Sequence, residues 1–132
     1  MQMSRRGAMA LGIGGAALAA GRPAIAQARG RTLVVSTWDF GAAANAAAYA
    51  QWKKTGSLLD AVEAGVRVPE QDPDNHSVGY AGYPDRDGHV TLDAIIMDDR
   101  GNVGAVAALE GFMHPISVAR RVMEKTPHTF LV

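Results

Sequence analysis

The chain contains no cysteine, and this absence excludes disulfide bonds, thiol nucleophiles and thiolate metal sites. It also has no acidic residue in its first 31 positions, although these carry five of the 13 basic side chains. The other 101 residues therefore hold eight basic and 13 acidic side chains, a net charge of −5. Because that part has no basic patch for phosphates, we expect no nucleic-acid partner. At 132 residues the chain has room for one domain.

The spacing that metal ligands need is absent as well. The four histidines are isolated from one another, and the acidic stretch Asp85–Gly88 lacks the 12-residue spacing of a calcium loop. Turns account better for these acidic residues, and we expect neither a metal site nor a cofactor. His114 is expected at the N-cap of a helix. Asp93 lies inside an apolar run and is expected to have a buried hydrogen-bonding partner.

The N-terminus has the order of charged, apolar and small-residue regions that is typical of a secretory signal. An arginine pair, Arg5-Arg6, precedes the apolar run Ala8–Ala20, and Ala26-Gln27-Ala28 is a small-x-small cleavage site. The arginine pair indicates the Tat route. We therefore predict a signal peptide over residues 1–28, cleavage after Ala28, and a periplasmic or secreted protein. The apolar run has 13 residues, fewer than the about 20 that span a bilayer, so we expect no stable membrane anchor.

Residues 29–132 are predicted to form one domain that begins with a strand and two helices. Leu33–Thr37 is a short β-branched run, which is typical of a buried strand. An alanine-rich helix is predicted over Ala42–Lys54, with Gly56 as its C-terminal glycine. Ser57-Leu-Leu-Asp60 has the pattern of a capping box and begins a second helix. This helix has one apolar stripe that ends near Pro69, formed by Leu58, Ala61, Val62, Gly65 and Val66.

A long loop and a hairpin are predicted next. Residues 70–88 are rich in Asp, Pro, Gly, Asn and Ser, and loops of this length in compact domains are often functional. Val90–Met97 and Val103–Leu109 are apolar β-type runs joined by a turn, which predicts a hairpin. Since both runs are apolar on both faces, apart from Thr91 and Asp93, we expect the sheet to be covered on both sides.

A last helix is predicted from Pro115 to the Thr126-Pro127 pair, with one apolar stripe formed by Ile116, Ala119 and Val122. Thr129–Val132 then begins another β-type run. Natural domains rarely finish inside an apolar strand, so we expect Val132 to be a truncation point. The fragment alone is expected to be poorly soluble or partly unfolded, because its hairpin would have unpaired edges.

Four segments form a pattern that covers residues 33–132 almost without a gap: Ser36–Gly41, Gly56–Glu63, His76–Asp98 and Pro115–His128. In order and spacing they resemble the N-terminal (α) half of the glycosylasparaginase family, which belongs to the N-terminal-nucleophile hydrolases. The stretch Ser77-Val-Gly-Tyr-Ala-Gly82 favours this branch, because isoaspartyl peptidases and plant-type asparaginases typically have Asn-Ala-Gly-x-Gly there. Ala81 departs from the family's usual second glycine and would be strained if that position needs a positive φ.

The resemblance implies an α+β fold, part of an αββα sandwich of the Ntn-hydrolase type that is incomplete in this chain. It also implies a precursor that cuts itself before a threonine, whose hydroxyl then attacks the side-chain amide of asparagine with its own α-amine as base. The family's His/Asn-Asp-Thr-x-Gly motif does not occur here, so no catalytic residue is assigned and the fragment alone is expected to be inactive. The implied partners are the C-terminal (β) half with that threonine, in an (αβ)2 assembly, and an asparagine-linked small molecule, N-acetylglucosaminyl-asparagine.

Two aromatic residues are the candidates for substrate binding. The resemblance implies that the ring of Trp38 borders the substrate pocket, whereas its position after a strand would by itself favour a core tryptophan. Phe40 is expected at the pocket edge, either packed there or in contact with substrate.

Two other functions stay open. An isoaspartyl peptidase or L-asparaginase would use the same scaffold, and assays of a completed protein on the three substrate types would separate these activities. A non-catalytic, decayed product would end at Val132, and the nucleotide sequence beyond that codon would reveal it.

Overall fold

The computed structural model describes residues 32–132, of which Leu33–Val132 form one compact unit. The predicted signal peptide and its cleavage site at Ala28 lie outside these residues. The described elements are α1 (Gly41–Thr55), α2 (Leu58–Glu70), β1 (Leu92–Met97), β2 (Val103–Leu109), α3 (Pro115–Lys125) and β3 (Phe130–Leu131). They combine helices with a three-stranded sheet, which is the predicted α+β composition. None of the helices in this part of the chain is long and apolar enough to cross a membrane.

The two predicted N-terminal helices are present and pack against each other. Gly56 ends α1 in the left-handed conformation, at φ 71°, and its N–H donates to the carbonyl of Trp52. The side chain of Ser57 then accepts from the N–H of Asp60 at 3.1 Å, which caps α2 as the sequence predicts. A Cβ at Gly65 would lie 2.9 Å from the carbonyl of Ala44, so the small residues let the two helices approach closely.

The apolar stripe of α2 differs from the predicted one. Ala61 and Gly65 are buried, but Leu58 and Val62 are exposed, and the buried side continues through Pro69 to Glu70. The helix thus turns its small residues rather than its larger ones toward α1. The predicted loop begins one residue later than expected, after Glu70.

The predicted hairpin is confirmed. Strands β1 and β2 are antiparallel, with a bulge between Leu92 and Ala94, and Asp98 accepts hydrogen bonds in the turn from the N–H groups of Arg100 and Asn102. The side-chain amide of Asn102 also donates to Asp98, and this hydrogen bond together with those two N–H groups holds the pKa of Asp98 below its usual range. Strand β3 pairs parallel to β2, so the sheet order is β1-β2-β3.

Helix α3 covers one face of this sheet and forms the core with it. A Cβ at Gly104 would lie only 2.1 Å from the carbonyl of Ala119, because α3 rests directly on β2 at this point. The core cluster has the predicted stripe of α3 on one side and two strand residues on the other: Ile116, Ala119, Val122, Ile96 and Val106.

The expectation that the sheet is covered on both sides is wrong for residues 32–132. Ile95 is 67% exposed and Met97 is 62% exposed, and both belong to the face opposite α3. Ala105 of β2 pairs with Ile95 on one side and with Phe130 of β3 on the other, so Phe130 belongs to the same face. Phe130 is also exposed. The strands are apolar on both faces, but no described element packs on this second face.

The prediction of a strand at Leu33–Thr37 is also wrong for the described residues. The segment is not paired with β1 or with any other described strand, and Leu33 and Val35 are 82% and 77% exposed. β-Branched residues favour an extended backbone, but a strand needs a neighbour to receive its hydrogen bonds. No described neighbour is in place.

Candidate active-site cavity

A cavity of about 530 Å³ lies where five segments of the compact unit meet. Its walls are the segment Ser36–Gly41, the end of α2, the loop Ser77–Gly79, strand β1 and the start of α3. This volume is within the range of small-molecule sites. The lining is mostly apolar with a few hydroxyls and carboxylates, which is the usual composition of a site that orients a small polar ligand.

Both predicted substrate-binding residues border this cavity. Trp38 is 67% exposed and Phe40 is half-buried, so Trp38 is not a core tryptophan in the part of the chain described. A local turn positions them: Gly41 N–H donates to the carbonyl of Trp38 at 2.9 Å, and Phe40 N–H donates to the side chain of Asp39 at 2.8 Å. A Cβ at Gly41 would clash with the side chain of Ser36, so glycine lets the segment fold back on itself. That either ring contacts substrate stays a prediction.

The sequence reasoning missed Glu70, the last residue of α2, whose side chain is only 3% exposed in the cavity wall. One carboxylate oxygen accepts from the backbone N–H of Ile116 at 3.0 Å, and the other lies 3.3 Å from His114 Nδ1. A carboxylate is favourable there because the first N–H groups of α3 lack partners within the helix. Burial raises the pKa of Glu70 to about 7, against the opposing effects of the Ile116 N–H and the positive charge of Arg67.

His114 occupies the N-cap position of α3 as predicted, but its side chain makes no capping hydrogen bond to that helix. Glu70 supplies the cap instead. Burial, together with the positive charge of Arg67, lowers the pKa of His114, while Glu63 opposes this effect. The distance between His114 and Glu70 would suit an ion pair, but burial disfavours the charged form of both groups. The contact is therefore a hydrogen bond between groups of which at most one is charged near neutral pH.

The loop after α2 is held against Glu70 by its backbone. Tyr80 N–H donates to the carbonyl of Glu70 at 3.2 Å, and a Cβ at Gly79 would lie 2.0 Å from that oxygen. Gly79 also has a φ of 74°, so glycine is required here for both reasons. Ala81 has no positive φ, which removes the expected strain at this departure from the family pattern. The loop therefore reaches the cavity through a close contact that only glycine allows.

Asp93 has a hydrogen-bonding partner as predicted, but the expectation that the pair is buried is wrong. Its carboxylate accepts from the N–H of Ala108 at 2.9 Å and is exposed at the edge of the cavity. Ala108 has a φ of 53°, a left-handed conformation in which alanine is strained. Asp93 thus stabilises the irregular end of β2, where Ala107 and Ala108 lie opposite this single residue of β1.

The polar side chains in the lining of this cavity carry hydroxyls and carboxylates. Its lining includes four hydroxyls, those of Ser36, Thr37, Ser77 and Thr91, but no histidine or lysine that could activate one of them. In residues 32–132 no three His, Asp or Glu side chains are grouped so that they could hold a metal ion.

Comparison with known proteins agrees with the resemblance. The family model described as Asparaginase matches residues 15–132. The chain is 59% identical over 102 residues to the N(4)-(beta-N-acetylglucosaminyl)-L-asparaginase of Elizabethkingia miricola, over 77% of this chain and 30% of that protein. It is 45% identical over 118 residues to the protein of the same name from Mus musculus, over 87% of this chain and 33% of that protein. The isoaspartyl peptidase/L-asparaginase of Rattus norvegicus is 45% identical over 80 residues, which are 60% of this chain and 24% of that protein.

The chain therefore spans about a third of the length of the curated relatives that it matches over most of its residues. The matched residues include all the described walls of the cavity. From this match and this identity it follows that the chain belongs to the asparaginase type 2 family of amidohydrolases, and that it is similar to the glycosylasparaginases within it.

Proposed function

We propose that residues 29–132 are the N-terminal part of an amidohydrolase that cleaves the side-chain N4-amide of glycosylated asparagine. The observation that carries this proposal is the 59% identity to the Elizabethkingia miricola protein, which is named N(4)-(beta-N-acetylglucosaminyl)-L-asparaginase. In this proposal Trp38 and Phe40 border the substrate, and a threonine beyond this chain is the nucleophile.

The composition of the cavity supports a nucleophile from elsewhere. A hydroxyl attacks an amide only when a base takes its proton. The cavity wall has no histidine or lysine, and its two carboxylates, those of Glu70 and Asp93, already accept hydrogen bonds from the protein itself. An N-terminal threonine would bring its own base, since a free α-amine has a pKa of about 8. The C-terminal (β) half that carries this threonine is therefore the proposed partner, in an (αβ)2 assembly.

The open face of the sheet supports the complete αββα sandwich. Ile95, Met97 and Phe130 lie on one face of the sheet and are exposed, and monomeric proteins rarely leave a large apolar patch in water. In the proposed fold a second sheet packs on this face. We also propose that residues 1–28 direct the protein through the Tat route to the periplasm or beyond, as the Arg5-Arg6 pair and the site at Ala28 suggest.

An isoaspartyl peptidase or L-asparaginase is the second candidate, favoured by the 45% identity to the protein of that name from Rattus norvegicus. The loop Ser77–Gly82 argues for the first candidate, because its sequence differs from the Asn-Ala-Gly-x-Gly typical of that branch.

The test has two steps. The coding sequence is first read past codon 132, where an open frame that leads to Asp-Thr-x-Gly is expected and a stop codon would contradict the proposal. The active assembly is then assayed for aspartate release from N-acetylglucosaminyl-asparagine, from an isoaspartyl dipeptide and from asparagine. Highest kcat/KM on the glycosylated substrate is expected. Highest kcat/KM on the dipeptide would replace the proposal with the second candidate, and no hydrolysis of any of the three would refute both.

A further inference from the structure

Glu70 has an unusual environment for an acidic side chain. It is the one buried carboxylate in the part of the chain described, and it lies in the wall of the cavity that Trp38 and Phe40 border. Burying a carboxylate costs free energy unless other groups compensate it. Here the compensation comes from a residue 46 positions away in the chain, through the N–H of Ile116.

Three walls of the cavity meet at this residue. Its own helix, α2, ends at Glu70, and its carbonyl receives the N–H of Tyr80 from the loop. Its carboxylate receives the N–H of Ile116 and contacts His114 at the start of α3. Pro115 and Ile116 themselves line the cavity, as do Ser77 and Gly79. Removing the side chain of Glu70 would therefore release the start of α3 from α2, whereas the backbone contact with the loop would remain.

We propose that Glu70 is a positioning residue for the hydrolysis proposed above: it joins α2, the loop at Gly79-Tyr80 and the start of α3, and thereby fixes the walls of the substrate cavity. The inference rests on that proposed function. Glu70 is not assigned a catalytic role, because both of its carboxylate oxygens face donors of the protein itself.

The charges around Glu70 give this role a recognisable pH dependence. Arg67 and Glu63 face it from its own helix, His114 faces it from α3, and Asp93 of β1 borders the same cavity. Because burial raises the pKa of Glu70 to about 7, a carboxylate accepts from Ile116 and His114 above that pH. Below it the protonated oxygen donates to the neutral ring of His114. The charge in the cavity wall thus changes near neutral pH.

The test compares three variants of the active assembly with the wild type. Glu70→Gln keeps the shape and the acceptor for Ile116 but cannot ionise, whereas Glu70→Ala removes the side-chain link to the start of α3. Glu110→Gln, at an exposed acid outside the cavity, is the matched control. The readouts are kcat and KM for the glycosylated substrate between pH 5 and 9, and the pH titration of the backbone amide resonance of Ile116.

We expect the resonance of the Ile116 amide to shift with pH with a midpoint near 7 in the wild type and in the control Glu110→Gln. This inflection should be absent from Glu70→Gln. The same inflection should disappear from the kcat/KM profile of Glu70→Gln, with activity at pH 6 within about threefold of wild type. Glu70→Ala should lower kcat/KM by about 10- to 100-fold, since misplacing a cavity wall by about 1 Å has effects of that size.

The outcomes separate this inference from the proposed function. A wild-type assembly that hydrolyses none of the substrates refutes the proposed function and with it the positioning role, whatever the amide resonance does. An active wild type in which Glu70→Ala behaves like Glu110→Gln refutes the positioning role alone. An active wild type whose Glu70→Gln variant keeps both inflections also refutes it, because a merely structural residue would change the yield of folded protein and leave the pH profile in place.

Discussion

Arg120 of α3 donates from Nη1 to the carboxylate of Asp60 on α2 at 2.7 Å. The same nitrogen lies 2.8 Å from Glu63, one turn further along α2, and Nε contacts Glu124 at 2.7 Å. One guanidinium therefore joins two helices at a position away from the cavity. The hydrogen bond from Arg120 lowers the pKa of Asp60, and these contacts raise that of Arg120 itself. Burial acts to raise the pKa of Glu63, but hydrogen bonds from Ser117 and Arg120 outweigh it and the net direction is downward.

Replacing Arg120 with methionine should lower the free energy of unfolding by about 1–2 kcal/mol at pH 7, because two partly buried carboxylates lose their partner. An acid whose pKa is lowered by folding contributes stability above its unfolded value, and this stability is lost as the pH falls through the folded value. The difference between variant and wild type should therefore shrink below about pH 4. Denaturant unfolding of the variant and the wild type at pH 7 and pH 3 measures this difference in stability. Arg121→Met, at an exposed position on the same helix, is the control, and an equal loss in both variants would contradict the prediction.

Glu70→Gln should have the opposite dependence on pH. An acid whose pKa is higher in the folded state binds more protons when folded, so its contribution to stability is present below the unfolded value of 4.5 and is lost as the pH rises through about 7. The difference between those two values corresponds to at most about 3 kcal/mol. The variant should be more stable than the wild type at pH 8 and nearly equal to it at pH 5, measured as the shift in unfolding midpoint. Lower stability of the variant at pH 8 would show that the carboxylate is stabilising when ionised.

Gly104→Ala should destabilise the protein by about 2–3 kcal/mol, because the new methyl group would meet the backbone of α3 at Ala119 and Met123. Gly101→Ala is the matched control: its φ of 83° disfavours alanine, but nothing lies within 4 Å of the added carbon. It should lose only about 1 kcal/mol. Thermal unfolding of both variants separates the effect of steric contact from that of backbone strain. An equal loss of stability in the two variants would mean that α3 can shift away from β2 at little cost and would contradict the prediction.

If the proposed function holds, Trp38→Ala should lower kcat/KM on the glycosylated substrate by about tenfold, since the substrate would lose the aromatic ring proposed to border it. The folded protein should be as stable as the wild type, because most of the ring is exposed. Tyr83→Ala is a suitable control, as that ring is exposed and does not line the cavity. Unchanged kinetics of Trp38→Ala would remove this residue from the substrate site.

Replacing Arg5 and Arg6 together with lysine should stop export, because the Tat route depends on the arginine pair. The protein would then be found in the cytoplasm with residues 1–28 attached. Fractionation and N-terminal sequencing measure both effects, and the exported wild type should begin at Arg29. Export of the lysine variant at the normal level would contradict the assignment.

Features that depend on neighbours in sequence were predictable, and features that depend on distant partners were not. Gly56 and Ser57 act through their own backbone and the next few residues, so the ends of α1 and α2 follow from local rules. The segment Leu33–Thr37 has strand-forming residues but no described strand beside it, and pairing is not encoded in those five residues.

Glu70 was missed because its burial depends on α3, which lies 46 positions further along the chain. One local signal was available: Glu70 is four residues after Val66, on the side of the helix that packs inward. An acid that continues an apolar stripe is a reason to expect a buried polar contact. Trp38 and Phe40 were identified through the resemblance, because their positions in sequence do not reveal the cavity that they border.

The contact between Gly79 and the carbonyl of Glu70 leaves no space for any side chain at that glycine. The stretch Ser77–Gly82, on which the proposal prefers the glycosylasparaginase branch, is thus anchored on the same residue whose pKa is raised to about 7. Exchanging this stretch for that of another branch would alter the outline of the cavity and the surroundings of the buried acid at once. In the proposed enzyme, selectivity among amides and tolerance of acidity would then change together, and engineering one property without the other would need substitutions elsewhere.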